Sequence, residues 1–269
     1  MIFDAHGDIL TNMYQEYKKN GTLDSFRRVH LKKYQEGQIF GSIFVNFSDP
    51  GLDNTEKFDE IFEVSRRELD LNKDILQVCL NSSDLIQAKS LGKIGVIIGV
   101  EGLKFLRDSE HLAKLYNIGL RHAGITWNEE NQFGGGVRVP SPTLTEAGKE
   151  LIMQLEKLGI IIDLAHANEN TFFEILKIVK HPLIVSHANC KALCDSPRNL
   201  TDEQLLAIKK NNGVIGFTAV ANFISKEQEN KNVAYLAKHI DYAIKLIGID
   251  YIGIGLDVCH YLDDLYTDT

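Results

Sequence analysis

The chain has 269 residues, a length that permits either one large domain or two smaller ones. Hydrophobic residues make up 44% of the sequence and charged residues 25%, proportions that are ordinary for a soluble globular protein. The formal net charge of −8 argues against a general nucleic-acid binder, because such proteins need a basic face to neutralise phosphate groups.

The N-terminal sequence and the cysteines bear on location. The chain begins Met1-Ile2-Phe3-Asp4, directly in a candidate strand, without the basic and apolar regions of a signal peptide. No apolar run approaches the roughly 20 residues that span a bilayer. The 4 cysteines form no CxxC pair, which suits a reducing compartment. We therefore expect a cytoplasmic protein that does not bind membranes.

Eight short segments rich in β-forming residues recur along the chain, and most of them precede an amphipathic helical stretch. Residues 95–100 are typical of a strand buried on both faces of a parallel sheet, because they form a continuous apolar run. The predicted strands are Ile2–Ile9, Ile39–Phe47, Ile94–Val100, His122–Trp127, Ile160–Ala165, Leu183–Ser186, Val214–Val220 and Tyr251–Leu256.

Polar first residues and closing glycines predict three of the helices, within 145–159, 201–213 and 232–248. Two stretches interrupt the alternation of strands and helices. Residues 49–92 are long for one crossover and are predicted to hold two helices, about Glu56–Leu71 and Ser83–Leu91. Residues 128–143 contain three consecutive glycines, together with Pro140 and Pro142, and are predicted to form a loop at the active-site face.

Strand–helix alternation with short connections favours right-handed crossovers and a parallel sheet. Eight strands predict closure into an α/β fold of the (β/α)₈ TIM-barrel type, with residues 1–269 as a single catalytic domain. A doubly wound open sheet is the structural alternative.

Residues of metal-binding types stand at the carboxyl ends of the predicted strands. In a barrel these ends converge on one face, the usual place of catalysis. Imidazole and carboxylate groups are zinc ligands, and alternate residues of a strand face the same way. The residues are His6, Asp8, Glu101, His166, His187 and Asp257.

Each of these residues also has an ordinary structural role open to it. A histidine at a strand end can be a hydrogen-bonded core or rim residue, and Asp8, Glu101 or Asp257 could cap a helix. Six such coincidences at equivalent positions favour a shared site. Four other histidines have no such placement and are expected in packing or at the surface, namely His30, His111, His181 and His239. His122 begins its predicted strand and is expected at the opposite face.

Taken in order, these segments resemble the membrane (renal-type) dipeptidase family of zinc peptidases over nearly the whole chain. One such motif is weak evidence, whereas the whole series in order is highly specific. The motifs are Asp4-Ala5-His6-Gly7-Asp8, Gly99-Val100-Glu101-Gly102, residues 159–166, residues 182–187 continuing to 197–202, His239-Ile240-Asp241 and residues 253–257.

The resemblance implies a barrel of the metal-dependent hydrolase type with a binuclear zinc site. By position, His6, Asp8 and Glu101 would bind one zinc ion. The bridging Glu101, with His166 and His187, would bind the other. A hydroxide between the two ions would attack the peptide bond of a dipeptide. A homodimer is also suggested by the resemblance.

Two further residues receive roles from the resemblance. Arg198 matches the arginine that holds the substrate carboxylate, and Asp257 matches the carboxylate that carries the proton to the leaving amine. Without the family context, Arg198 could equally be a surface arginine in a loop.

The sequence departs from the family pattern at several places. Trp127 stands where many members have a histidine, and Phe223 stands where they have a substrate-contacting tyrosine; both are expected to line the substrate pocket. His260 falls in a changed ending after Asp257 and is expected to be a rim residue. The chain ends at Thr269, whereas family members usually continue through another helix. We therefore expect that residues 1–269 lack the C-terminal helix of the barrel, and that either the natural chain continues beyond Thr269 or a partner subunit covers the gap.

Three functions remain open at this point. The sequence favours a zinc-dependent dipeptidase. The alternatives are a barrel hydrolase that acts on another small amide, ester or lactone, which Trp127 and Phe223 leave open, and a non-catalytic metal-binding barrel. The last alternative predicts erosion of the ligands, yet all five metal positions are occupied by suitable residues.

Overall fold

The computed structural model describes residues 1–47, 55–139 and 143–259. Nine strands lie in these ranges: β1 Ile2–Gly7, β2 Ile39–Phe47, β3 Leu76–Val78, β4 Ile94–Glu101, β5 Leu120–Gly124, β6 Ile161–Asp163, β7 Ile184–Ala188, β8 Val214–Phe217 and β9 Ile252–Ile254.

Ten α-helices lie between them: α1 Ile9–Asn20, α2 Leu31–Glu36, α3 Thr55–Leu71, α4 Ser82–Ser90, α5 Ser109–Asn117, α6 Glu146–Leu158, α7 Glu169–Ile178, α8 Asp202–Lys210, α9 Ala221–Ile224 and α10 Val233–Ile247. A π-helical turn, Phe26–His30, precedes α2, and 3₁₀ turns occur at Gln228–Asn230 and Ile249–Tyr251. None of the described helices is both long and apolar enough to cross a bilayer.

The chain divides into two compact units. Unit 1 comprises Met1–Glu101 and Phe105–His122, together with Cys259. Its strands pair in parallel as β1–β2, β2–β4 and β3–β4. Unit 2 comprises Gly102–Lys104 and Ala123–Val258, and its strands pair in parallel as β6–β7, β7–β8 and β8–β9.

Aromatic packing holds the helices of unit 1 to its strands. The Phe26 ring centre lies 5.3 Å from that of Tyr34 and 5.5 Å from that of Phe44 on β2. The Phe58 ring stacks on the Phe105 ring with centroids 3.5 Å apart. Rings of this size dominate core energetics, since each buries a large apolar area.

Caps position the helices of unit 2. Thr145 accepts a hydrogen bond from Gly148 N at 3.0 Å, and α6 ends at Gly159 in the left-handed conformation with φ 69°. Thr201 and Gln204 form a capping box at the start of α8. Asn232 caps α10 by accepting a hydrogen bond from Tyr235 N at 3.0 Å. The three predicted helix boundaries are therefore confirmed.

The strands differ from the predicted ones in number and in their limits. The helices expected within residues 49–92 are confirmed as α3 and α4, but the short strand β3 between them was missed. The strand predicted from His122 begins instead at Leu120 and ends at Gly124, so His122 lies in mid-strand rather than at its start. Residues 128–139 form a loop as expected, whereas Pro140 and Pro142 lie outside the described residues.

Candidate metal and substrate site

Three of the candidate ligands belong to unit 1 and form a first ligand group: His6, Asp8 and Glu101. His6 is the penultimate residue of β1, and Glu101 is the last residue of β4. Asp8 occupies the N-cap position of α1, but its side chain makes no capping hydrogen bond. All three side chains are buried. The Asp8 carboxylate therefore does not cap α1, which was its alternative structural role.

The distances within the first ligand group suit a cation. His6 Nε2 lies 3.9 Å from Asp8 Oδ1 and 3.7 Å from Glu101 Oε1, beyond normal hydrogen-bond length. Two zinc ligands at bond lengths of about 2.1 Å are separated by roughly 3.4 Å at a tetrahedral angle and by more at wider angles. Each carboxylate oxygen therefore lies at a distance from His6 Nε2 that suits two ligands of one divalent ion.

A second ligand group lies in unit 2 and consists of His166 and His187. His187 lies on β7, and His166 follows β6 by three residues. Their Nε2 atoms face each other at 2.9 Å, and both side chains are buried. The two rings therefore direct the same nitrogen to one point.

Hydrogen bonds to the opposite ring nitrogens fix the tautomers. His166 Nδ1 donates to Asn128 Oδ1 at 2.8 Å, which leaves the lone pair on Nε2. His187 Nδ1 lies 2.8 Å from Ser186 Oγ, whose own proton goes to Asp163 Oδ2 at 2.5 Å. Consequently the His187 ring donates to the serine and also keeps its lone pair on Nε2. Two such lone pairs at close range repel, and Arg198 Nη2, 2.7 Å from His187 Nε2, donates to one of them.

Sequence reasoning missed Asn128, Asp163 and Ser186. Asp163 also accepts hydrogen bonds from Ala165 N and Ser186 N at 2.9 Å, so its carboxylate is firmly held. The available signal was their position, because Ser186 directly precedes a candidate ligand and Asp163 ends β6. Groups that orient metal-binding histidines often stand at such places.

The electrostatic surroundings keep His166 neutral. Burial lowers the pKa of His166 well below its ordinary value of 6.5, and the positive charges of Arg198 and Arg138 lower it further against the opposing effect of Asp163. Neutral imidazole is the form that binds a metal ion.

Asp257 lies beside the second ligand group, three residues after β9. Its Oδ2 is 4.0 Å from His187 Nε2, and its side chain is 16% exposed. Asp257 and His166 both have left-handed backbone, with φ values of 53° and 66°. This conformation is uncommon outside glycine, although aspartate and histidine adopt it more readily than most residues. Such backbone strain concentrates at functional sites.

Arg198 is buried rather than a surface residue. Its Nη2 lies 2.7 Å from His187 Nε2, and its Cζ lies 5.5 Å from the centre of the Phe223 ring on α9. Phe223 itself is buried, and its carbonyl accepts from Asn199 Nδ2 at 2.8 Å. Phe223, which replaces the tyrosine of many family members, therefore places the face of its ring beneath the buried guanidinium of Arg198.

Trp127 follows β5 and stands next to His166, with ring centroids 6.0 Å apart. A Cβ added to Gly136 would collide with the backbone of Trp127 and Asn128, so glycine permits the close return of this loop. The indole is only partly buried. It lies where a side chain can contact a molecule bound at the second ligand group.

Four of the remaining histidines make hydrogen bonds or ion pairs with residues outside the two ligand groups. His30 bonds Asn12, His111 bonds Asp59, and His239 bonds the backbone of Ile224. His181 is exposed and pairs with Glu156. His122 is fully buried within β5. His260 lies outside the described residues.

Solved structures establish the fold. A crystal structure of a metallopeptidase from Rhodobacter sphaeroides, liganded with a phosphinate mimic of the dipeptide L-Ala-D-Ala, matches with a TM-score of 0.81 at 24% identity and covers 96% of this chain and 86% of that one. The crystal structure of dipeptidase AC, a metallopeptidase of family M19, matches with a TM-score of 0.82 at 24% identity, covering 95% and 84%. The chain accordingly has the α/β fold of the (β/α)₈ TIM-barrel type.

Sequence comparison identifies the family. An uncharacterized dipeptidase from Schizosaccharomyces pombe is 29% identical over 286 residues, which cover 95% of this chain and 68% of that protein. The family model described as membrane dipeptidase, peptidase family M19, matches residues 1–261. With a match that spans almost the full sequence, the chain belongs to the membrane dipeptidase family, peptidase family M19, and is a metallohydrolase.

Proposed function

We propose that the chain hydrolyses dipeptides at a binuclear site for divalent metal ions, with zinc as the metal. The observation that carries this proposal is the pair of buried imidazoles whose Nε2 atoms converge at 2.9 Å while their Nδ1 atoms are held by Asn128 and Ser186. Family membership supports combining the two ligand groups in one site. His6, Asp8 and Glu101 would hold one ion, and Glu101, His166 and His187 the other.

Ions bound in this way would supply a nucleophile from water at neutral pH and would polarise the scissile carbonyl. Arg198 binds the carboxylate of the substrate, because a planar guanidinium suits a bidentate carboxylate and Phe223 supports its face. Asp257, within 4.0 Å of His187 Nε2, accepts a proton from the attacking water and returns it to the leaving amine. Trp127 lines the pocket.

The size of the substrate follows from Arg198. A buried guanidinium that holds a free carboxylate close to the scissile bond leaves room for few residues between them, which favours dipeptides. The Rhodobacter sphaeroides protein is liganded with a mimic of L-Ala-D-Ala, and by analogy small dipeptides with either configuration at the second residue are suitable first substrates.

The test is release of free amino acids from a dipeptide panel, before and after chelation and after zinc is restored. We expect chelation to abolish activity and zinc to restore it. His187→Ala and Asp257→Asn should each lower kcat/KM at least 100-fold. Matched controls are His181→Ala and Asp241→Asn, which change exposed residues of unit 2 and should retain activity. Wild-type turnover by either site variant would remove the role assigned to that residue.

A second candidate function, hydrolysis of another small amide, ester or lactone, is favoured by the replacement of polar substrate contacts with Trp127 and Phe223. Acylated amino acids and lactones in the same assay separate the two functions. Turnover of these compounds with no dipeptide hydrolysis would favour the second. Stoichiometric metal without any hydrolysis would indicate a binding protein.

Location and assembly complete the proposal. The free thiols of Cys79, Cys190, Cys194 and Cys259 support a reducing compartment, and we infer a cytoplasmic protein. We also infer a homodimer, which sedimentation analysis of the purified protein would reveal as a mass twice that of the 30.3 kDa chain.

A further inference from the structure

A second arginine, Arg138, lies near the second ligand group on the loop after β5. Its Cζ lies 5.4 Å from the centre of the Trp127 ring, and that ring lies 6.0 Å from the imidazole of His166. Cation–π contacts of this kind fix the direction of an arginine side chain. The guanidinium of Arg138 therefore lies over Trp127, which is itself next to the candidate metal ligand His166.

The backbone around Arg138 is held in place. Arg138 N donates to Asn128 O at 2.9 Å, and Val137 N donates to His166 O at 2.9 Å. Asn128 also accepts a hydrogen bond from the His166 ring. The same residue therefore holds both this loop and the candidate ligand. Arg138 consequently projects from a defined point rather than from a free loop.

The guanidinium keeps donors for a further partner. Nη1 lies 3.1 Å from Glu129 Oε1, and the Arg138 side chain is 53% exposed. A guanidinium has five N–H donors, and the contact to Glu129 uses one of them. The remaining donors of Arg138 can therefore bind an anionic group that approaches from solvent.

Arg198 and Arg138 each place a guanidinium over an aromatic ring, but they differ in burial. Arg198 is buried over Phe223 and contacts His187, whereas Arg138 is exposed over Trp127. A neutral dipeptide has only one carboxylate, and Arg198 accounts for it. We propose that Arg138 binds a second carboxylate, so that the chain prefers dipeptides that carry an aspartate or glutamate side chain. This inference rests on the proposed function.

The test compares substrates that differ only in charge: Ala-Glu with Ala-Gln, and Glu-Ala with Gln-Ala. We expect kcat/KM to be about tenfold higher for the acidic member of at least one pair, as one charge-assisted contact would give. Arg138→Gln should remove this ratio. Glu129→Gln should raise it, because the guanidinium would lose its competing carboxylate.

Lys245→Gln is the matched control, since it removes one positive charge from an exposed ion pair on α10 of the same unit. It should leave the ratio unchanged. Equal ratios in the wild type and Arg138→Gln would overturn the inference while leaving dipeptide hydrolysis intact. A ratio that falls equally in Lys245→Gln would also overturn it, because net charge would then be the cause.

A binding measurement keeps the inference separate from the proposed function. Titration calorimetry of metal-free protein with Ala-Glu and Ala-Gln should show tighter binding of Ala-Glu in the wild type and equal binding in Arg138→Gln. If no dipeptide were hydrolysed, the proposed function would fail, and this comparison would still decide the role of Arg138. Equal binding of both peptides to the wild type would reject it.

Discussion

Each candidate histidine of the second ligand group presents Nε2 and has Nδ1 held by a neighbouring side chain. His187 depends on a chain of two hydrogen bonds, through Ser186 to Asp163. A hydroxyl in this position can both donate and accept, so it passes the orienting effect of the carboxylate to the ring. Outer groups of this kind raise the basicity of the ligand and restrict the orientation of its ring.

Ser186→Ala should therefore weaken metal binding by about 10- to 100-fold, as loss of an orienting partner generally does. Competition with a chelator of known zinc affinity measures the change. Ser186→Thr keeps the hydroxyl and should restore most of the affinity. Ser225→Ala is the control, because it removes another buried hydroxyl of unit 2 that accepts from Glu227 N. Unchanged zinc affinity in Ser186→Ala would contradict the orienting role.

A buried thiol makes stability depend on alkaline pH. Burial raises the pKa of Cys190 from its ordinary value of 9.0 to about 12. Because the unfolded chain loses this proton first, the thiol's contribution to stability is complete below pH 9 and is lost as the pH rises toward 12. The free energy of unfolding should fall more steeply above pH 9 in the wild type than in Cys190→Ala. Denaturant titrations from pH 8 to 10.5 measure this slope, with Cys259→Ala as the partly exposed control.

At the scale of elements, local signals predicted helices better than strands. The caps at Thr145, Thr201 and Asn232 act within one turn, so four residues of sequence contain the information. Strand limits depend on pairing with distant residues. The three-residue strand β3 exists because Leu76–Val78 pairs with β4, a contact that no local pattern encodes. The ends of β5 were misplaced for the same reason.

The capping box of α8 has a measurable effect on stability. Thr201→Ala removes the acceptor for Gln204 N, at 3.2 Å, and should lower the free energy of unfolding by about 1 kcal/mol. Chemical denaturation of the metal-free protein measures it. Thr201→Ser retains the hydroxyl and should cost much less. Equal losses in the two variants would indicate that packing of the methyl group, rather than the cap, is responsible.

For the whole molecule, the sequence predicted the fold because apolar strands recur, and it suggested the candidate site because five of the eight predicted strands carry a polar residue at or just after their carboxyl end. The comparisons confirm the barrel fold and the family. What could not be predicted was how the candidate ligands His166 and His187 are oriented, since Asn128 and Asp163 act through side-chain geometry that emerges only on folding. The position of Arg138 beside Trp127 could not be predicted either, because it depends on how the loop after β5 folds back.

Metal stoichiometry tests whether the two ligand groups serve one binuclear site. Glu101, the proposed bridging residue, should matter for both ions, whereas His6 and His166 should each matter for one. Elemental analysis of zinc-loaded protein after gel filtration should give two ions per chain in the wild type, one in His6→Ala and in His166→Ala, and fewer than one in Glu101→Gln. His181→Ala, which changes an exposed histidine, should keep two.

Thermal unfolding provides a second measure of the same assignment. Metal that binds only the folded chain stabilises it by about 2.7 kcal/mol per site at a free concentration 100 times the dissociation constant. Zinc should raise the Tm most in the wild type, less in His6→Ala and His166→Ala, and least in Glu101→Gln. If Glu101→Gln retained one ion and the Tm shift of the single-histidine variants, Glu101 would belong to one ion alone and the carboxylate bridge would be wrong.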